Sequence, residues 1–115
     1  METDERADTQ PVDSAGAKAA ILQIVGNVLV ARSLTIAAEL GLADLVQAEP
    51  KSVMQLAQAT GTHADSLHRL LRMLASYGVF AEDENGLVHS TPMASLMESD
   101  QPDSLRDLLR LGWQD

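Results

Sequence analysis

The sequence predicts a mainly α fold: a winged helix-turn-helix with a short two-stranded β-wing, preceded by long apolar dimerisation helices. Three observations carry that expectation. From Ser52 to Phe80 a short helical pattern, a glycine at 61 and a longer amphipathic pattern follow one another. Asn85-Gly86 then sits between two short apolar runs, a strong hairpin signal because both residues accept positive φ. Ahead of both, Ala15 to Val46 carries only Lys18, Arg32, Glu39 and Asp44 as charged residues.

The chain has 115 residues, a formal charge of −9 and no cysteine. That length makes one domain, with one core and no room for a second, catalytic one. Without cysteine there is no disulfide framework, no thiolate nucleophile and no cysteine zinc site. Residues 1–13 hold Glu2, Asp4, Glu5, Asp8 and Asp13 against Arg6, with nothing apolar at regular spacing. They are expected to form a disordered acidic tail. They also lack the basic-then-apolar order of a secretory signal, so the expected location is cytoplasmic.

The winged-helix domain then spans residues 14–115. In its first helix, Ala17 to Arg32, the residues Ala20, Ile21, Ile24, Val25 and Val28 share one face, while Leu22, Leu29 and Val30 point elsewhere. A helix apolar around most of its circumference cannot be enclosed by a single-domain monomer. A membrane span needs roughly 20 apolar residues, and this run is interrupted by Gln23, Gly26 and Asn27. Burial against a second chain is the better account, because so large an apolar patch is a liability on a soluble monomer. No membrane is expected as a partner.

A second helix is expected from Leu34 to Glu39, stopping at Gly41, followed by a turn from Leu42 to Val46. Pro50 closes the segment. Ser52 then caps the first helix of the motif, with Gln55 completing a capping box. Leu56 and Ala57 face inward, Gly61 makes the turn, and Thr62 or Asp65 caps the next helix. There Leu67, Leu70, Leu71 and Leu74 recur at i, i+3, i+4 and i+7. The opposite face carries His68, Arg69, Arg72 and Ser76.

In a DNA-binding protein Arg69 and Arg72 would meet bases or phosphates. Two arginines make a thin basic patch in a chain this acidic, and a solvated face is the plainer account. The wing, Val79 to Glu82 and Leu87 to His89, offers Glu82, Asp83 and Glu84 at its tip, which phosphate repels. Nucleic acid is therefore not expected as a partner. Thr91 caps a further helix, with Pro92 at its first position. A last helix, capped by Asp103 or Ser104, runs through Leu105, Leu108 and Leu109 to Trp113.

The residues that could carry chemistry do not assemble. His63, His68 and His89 lack metal-ligand spacing, so no metal is expected, and each reads as a surface or capping residue. The acidic turn lacks the pattern of a calcium loop. No Gly-x-Gly-x-x-Gly follows a strand, and Ser90, Ser95 and Ser99 have no nucleophile context. Five methionines, Met54, Met73, Met93 and Met97 among them, read as core filler.

Three segments together carry a resemblance: Ser52 to Gly61, Ser66 to Phe80 and Gly86 to Leu96. They resemble the N-terminal dimerisation domain of S-adenosylmethionine-dependent small-molecule O-methyltransferases, with the bacterial polyketide-tailoring type looking closest. The likeness covers Ser14 to Asp115, and its Leu-x-Arg-Leu-Leu-Arg-x-Leu-x-x-x-Gly core, Leu67 to Gly78, is its most specific part. It implies a homodimer interlocked through the N-terminal helices, with Ile21, Ile24, Val25, Val28 and Leu29 at the interface. It also implies that Arg110 and Trp113 stand near a small aromatic acceptor substrate. The family's cofactor loop, catalytic histidine and ribose-binding acid have no counterpart in this sequence.

The expected function is thus a dimerisation and substrate-lid module, not catalytic alone and without a cofactor of its own, S-adenosylmethionine being implied only for a parent enzyme of antibiotic biosynthesis. Two alternatives remain at this point. One is a stand-alone winged-helix transcriptional regulator. The other is an accessory protein that pairs with a separate enzyme.

Overall fold

The fold, seen in a computed structural model that describes residues 14–111, is built on one long helix. Helix α1 (Ser14–Leu40) is followed by α2 (Leu42–Leu45), β1 (Lys51–Ser52), α3 (Val53–Thr60) and α4 (Ala64–Ala75). Then come β2 (Ala81–Glu82), β3 (Leu87–His89), α5 (Pro92–Ser95) and α6 (Arg106–Leu111). The acidic-tail expectation for residues 1–13 lies outside the described residues.

The expected break between two N-terminal helices is absent, and α1 runs unbroken through Arg32 and Ser33. Its cause is local. The Ser33 hydroxyl donates to the Leu29 carbonyl at 2.9 Å, so a residue that often competes with the helical backbone is absorbed by the preceding turn. The helix ends at Gly41 as expected, where Arg106 adds a second closure by donating from Nε to the Ala38 carbonyl at 3.0 Å. A guanidinium at a helix C-terminus satisfies an end carbonyl and complements the helix dipole.

The helix-turn-helix follows its sequence signals closely. Ser52 Oγ accepts from the Gln55 amide at 3.1 Å and Gln55 Oε1 accepts from the Ser52 amide at 2.8 Å, a complete capping box. Gly61 turns the chain at a φ of 68°, a left-handed conformation that costs glycine little. The cap of α4 is neither Thr62 nor Asp65 but His63, whose Nδ1 accepts from the Ser66 amide at 3.4 Å. Thr62 is instead engaged by the Thr60 hydroxyl at 2.8 Å.

The wing is a three-stranded antiparallel sheet in the order β1-β3-β2, rather than a two-stranded one. The added edge strand pairs Lys51 with Val88 and Ser52 with Leu87, while Ala81 and Glu82 pair with His89 and Val88. In the turn, only Gly86 has positive φ; Asn85 does not. Asp83 Oδ1 accepts from the Asn85 amide at 2.8 Å and from the Leu87 amide at 3.0 Å. A side chain bonding its own backbone two residues on replaces the all-left-handed turn expected of Asn-Gly.

The strand expected from Val79 begins only at Ala81, because Phe80 adopts a φ of 70°. Bulky side chains are rare in that region. Thr91 holds it there. Its Oγ1 accepts from the Phe80 amide at 3.2 Å and from the Ala94 amide at 3.1 Å, and donates to the Gly78 carbonyl at 2.7 Å. One hydroxyl thereby caps α5 and fixes the chain reversal leading into the wing.

Phe80, Leu42, Leu56, Leu74 and Val88 are the largest fully buried side chains. Leu67, Leu71 and Leu74 form the buried stripe of α4, with Leu70 half-buried. Methionine is not uniformly core filler. Met97 is buried, whereas Met54 is 58% and Met93 51% exposed.

Glu98 is the exception among the buried residues, at 7% exposure. Burial, with Asp100 and Asp44 adding repulsion, pushes its carboxyl above the usual value for glutamate. The folded state therefore binds this proton more tightly than the unfolded chain. The resulting stability is present below pH 4.5 and is lost as pH rises through the raised folded value. Glu98→Gln is expected to raise the melting temperature by a few degrees at pH 7 and to leave it unchanged near pH 3, measured by circular dichroism at fixed protein concentration.

Candidate functional site

The largest unfilled requirement in the molecule is the N-terminal half of α1. Ser33, Thr35, Ala37 and Ala38 are buried in the core. Upstream of them, Ile21, Leu22 and Ile24 are each 59% exposed, and Val25, Val28 and Leu29 are 49%, 46% and 50% exposed. All five residues expected at an interface, Ile21, Ile24, Val25, Val28 and Leu29, thus share one uncovered surface. Leu22, expected on another face, belongs to it equally.

The projection is visible in the dimensions. The principal extents are 59 × 31 × 26 Å and the radius of gyration is 18.1 Å, against about 13 Å for a compact chain of this length. Gln23 and Asn27, the polar interruptions, bond each other across one helical turn, Nε2 to Oδ1 at 3.1 Å. An i, i+4 pair of that kind lets the helix present apolar surface without stranding amide groups. A Cβ at Gly26 would meet nothing within 4 Å.

By length and composition, α1 as a whole is apolar enough to cross a membrane. Its C-terminal third, however, is fixed in the core. The free part is roughly 17 residues, about 25 Å at the helical rise, which falls short of a hydrocarbon layer of ~30 Å.

Two apolar grooves flank the buried part of α1. One, of about 150 Å³, lies between α1, α5 and α6 and is lined by Leu34, Val79, Met93, Met97, Leu105 and Leu109 among others. Its α6 wall is tied down by Thr35, whose hydroxyl donates to the Leu109 carbonyl at 3.3 Å. The other, of about 220 Å³, lies between the C-terminal half of α1 and the first turns of α4. Ile36, 40% exposed, and Leu40 form one wall, facing His63, Ser66, Leu67 and Leu70. Sequence reasoning missed both, because each joins residues far apart in the chain.

The face that would meet DNA is poorly equipped. Arg69 and Arg72 are exposed on α4. Beside them His68 Nε2 is bound to Glu82 Oε1 at 2.8 Å, and in the wing His89 Nε2 is bound to Asp83 Oδ2 at 2.7 Å. The His89 imidazole, with the Leu87 amide, holds the Asp83 carboxyl below the usual aspartate value, so the wing tip stays negative. Among the described residues no group of three or more His, Cys, Asp or Glu could hold a metal. Arg110 is exposed on α6; Trp113 lies outside the described residues.

Residues 22–100 match the family model described as the O-methyltransferase dimerisation domain. Phenazine O-methyltransferase PhzM of Lysobacter antibioticus is 43% identical over 106 residues, 92% of this chain and 30% of that protein. Among solved structures, CalO1, a methyltransferase in calicheamicin biosynthesis in its SAH-bound form, superposes with a TM-score of 0.76 at 32% identity, over 86% of this chain and 29% of that one. NcsB1, an O-methyltransferase from neocarzinostatin biosynthesis in complex with S-adenosylmethionine and 2-hydroxy-5-methyl naphthoic acid, superposes with a TM-score of 0.68 at 33% identity, over 71% of this chain and 25% of that one. The chain spans less than a third of the length of these relatives.

Proposed function

The chain belongs to the O-methyltransferase dimerisation-domain family, and from that premise we propose that it is the homodimerisation and substrate-lid module of an S-adenosylmethionine-dependent methyltransferase. Its acceptor is a small aromatic molecule of the kind tailored in antibiotic biosynthesis. The observation that carries the reading is the bare apolar half of α1, which a second copy's surface of matching shape would cover. The names of the relatives support the reaction class, and the naphthoic acid held by NcsB1 supports the acceptor class.

S-adenosylmethionine supplies the transferable methyl group when bound, but the described residues do not fit it. Gly41, Gly61, Gly78 and Gly86 serve helix ends and the wing turn, and among the described residues no glycine-rich loop links a strand to a helix N-terminus as a nucleoside cradle requires. This chain's contribution is therefore assembly, with α6 as the element offered toward the acceptor. By the family resemblance, Arg110 and Trp113 are the residues proposed to stand near the acceptor.

Light scattering behind a sizing column tests the proposal. The expected mass is twice 12.3 kDa, held across micromolar concentrations. A monomer would overturn it.

A further inference from the structure

We propose that the groove between α1 and α4 is the seat for the first turns of a second copy's α1, the two helices pairing antiparallel about a two-fold axis near Val28. The inference rests on the dimerisation reading above and adds where on each body the partner lies.

The argument starts from the extent of the bare surface. Large exposed apolar side chains of α1 begin at Ile21 and end at Ile36. A two-fold dimer brings the same patch against itself. In an antiparallel pair the residue numbers of facing positions add to a constant, so the stripe overlaps itself most fully when the axis passes between Val28 and Leu29. Ile21 of each copy then lies at the partner's Ile36, and Ala17 at the partner's Leu40. Ile36 and Leu40 are one wall of the groove of about 220 Å³. The register that best covers the stripe therefore delivers Ile21 into an apolar recess whose far wall is Ser66, Leu67 and Leu70 of α4.

Continuity along the helix supports the same occupant. The bare stretch of α1 runs from Ile21, 59% exposed, to Ile36, 40% exposed, and Ile36 is both its last large apolar residue and a wall of the groove. A parallel pairing would match like residues but leave both grooves empty, and it would align the helix dipoles instead of opposing them.

Because the chain contains no cysteine, introduced thiols report unambiguously. Chains carrying Ile21→Cys and Ser66→Cys, both exposed positions, are mixed in equal amounts, allowed to exchange, oxidised and read on a non-reducing gel beside each variant alone. A disulfide needs the two Cα atoms within about 7 Å. The expected result is a linked dimer in the mixture, up to the statistical half of the chains. Ile21→Cys alone stays unlinked, and Val28→Cys alone links to itself.

Self-linking of Ile21→Cys would overturn the antiparallel register. An unlinked mixture in a preparation that is dimeric by light scattering would overturn the groove as the seat while sparing the dimerisation reading. A monomeric mass for the unmodified chain would overturn both.

Discussion

Val28→Asp is expected to convert the proposed dimer into a monomer at micromolar concentration. Val28 lies where the proposed axis crosses α1, so the substitution places a carboxylate on each copy close to its symmetry mate. The surrounding surface of Val25 and Leu29 is apolar, and Arg32, one helical turn on, returns only about 0.2–0.5 kcal/mol as an i, i+4 partner. Leaving one buried charge unpaired costs about 3–5 kcal/mol, and every ~1.4 kcal/mol is a tenfold change in dissociation constant. At least about a hundredfold weakening follows. The body should remain folded, because Val28 is 46% exposed in the isolated chain and contributes nothing to the core. Light scattering and far-ultraviolet circular dichroism on the same sample check both halves of the expectation. A full dimer at micromolar concentration would remove Val28 from the interface.

Phe80→Ala is expected to have the largest effect on folding. The ring is 2% exposed and sits among the largest buried side chains. Truncating such a residue costs about 3–5 kcal/mol through lost transfer energy and the cavity left behind. Alanine at a φ of 70° keeps the backbone strain of phenylalanine, so no relief offsets the loss. The total stability of a domain is about 5–15 kcal/mol, and 1 kcal/mol corresponds to about 4–8 °C at this size. A drop of roughly 15–30 °C in melting temperature follows, to be read at one fixed concentration because association adds to apparent stability. Met54→Ala, at a residue 58% exposed, serves as the control with little expected change. A melting temperature within a few degrees of the parent for Phe80→Ala would show that the cavity collapses.

The parts of the fold that were legible in the sequence are those that local chemistry decides. The Ser52–Gln55 box, the glycines at 41 and 61, the Thr91-Pro92 start and the leucine stripe of α4 act within a few residues, and each holds. The bare apolar half of α1 was legible for a related reason, since no arrangement of so short a chain could enclose it. What the sequence did not disclose depends on distant partners. Phenylalanine gives no hint of a left-handed backbone, and Phe80 adopts one because Thr91, eleven residues on, receives its amide. Strand β1 exists only because Val88 and Leu87 come alongside it. Ser33 looked like the end of a helix, yet its hydroxyl is taken up by Leu29. The burial of Glu98 and the two grooves have no local signature at all.

The unbroken course of α1 has a mechanical consequence. About 25 Å of it is free and about 15 Å is clamped in the core, so the helix is a cantilever with its root beside α6. Thr35 and Ala38, at that root, are hydrogen-bonded to Leu109 and Arg106. A torque applied at the free end is resisted first where Val30 packs on the core and Ser33 Oγ reaches Met73 Sδ at 3.5 Å, and then at those two bonds, so the angle at which two such rods cross bears on α4 and α6 together. A flexible joint at Ser33 would have isolated one end from the other; an unbroken helix ties the crossing angle of a pair to the packing at its root.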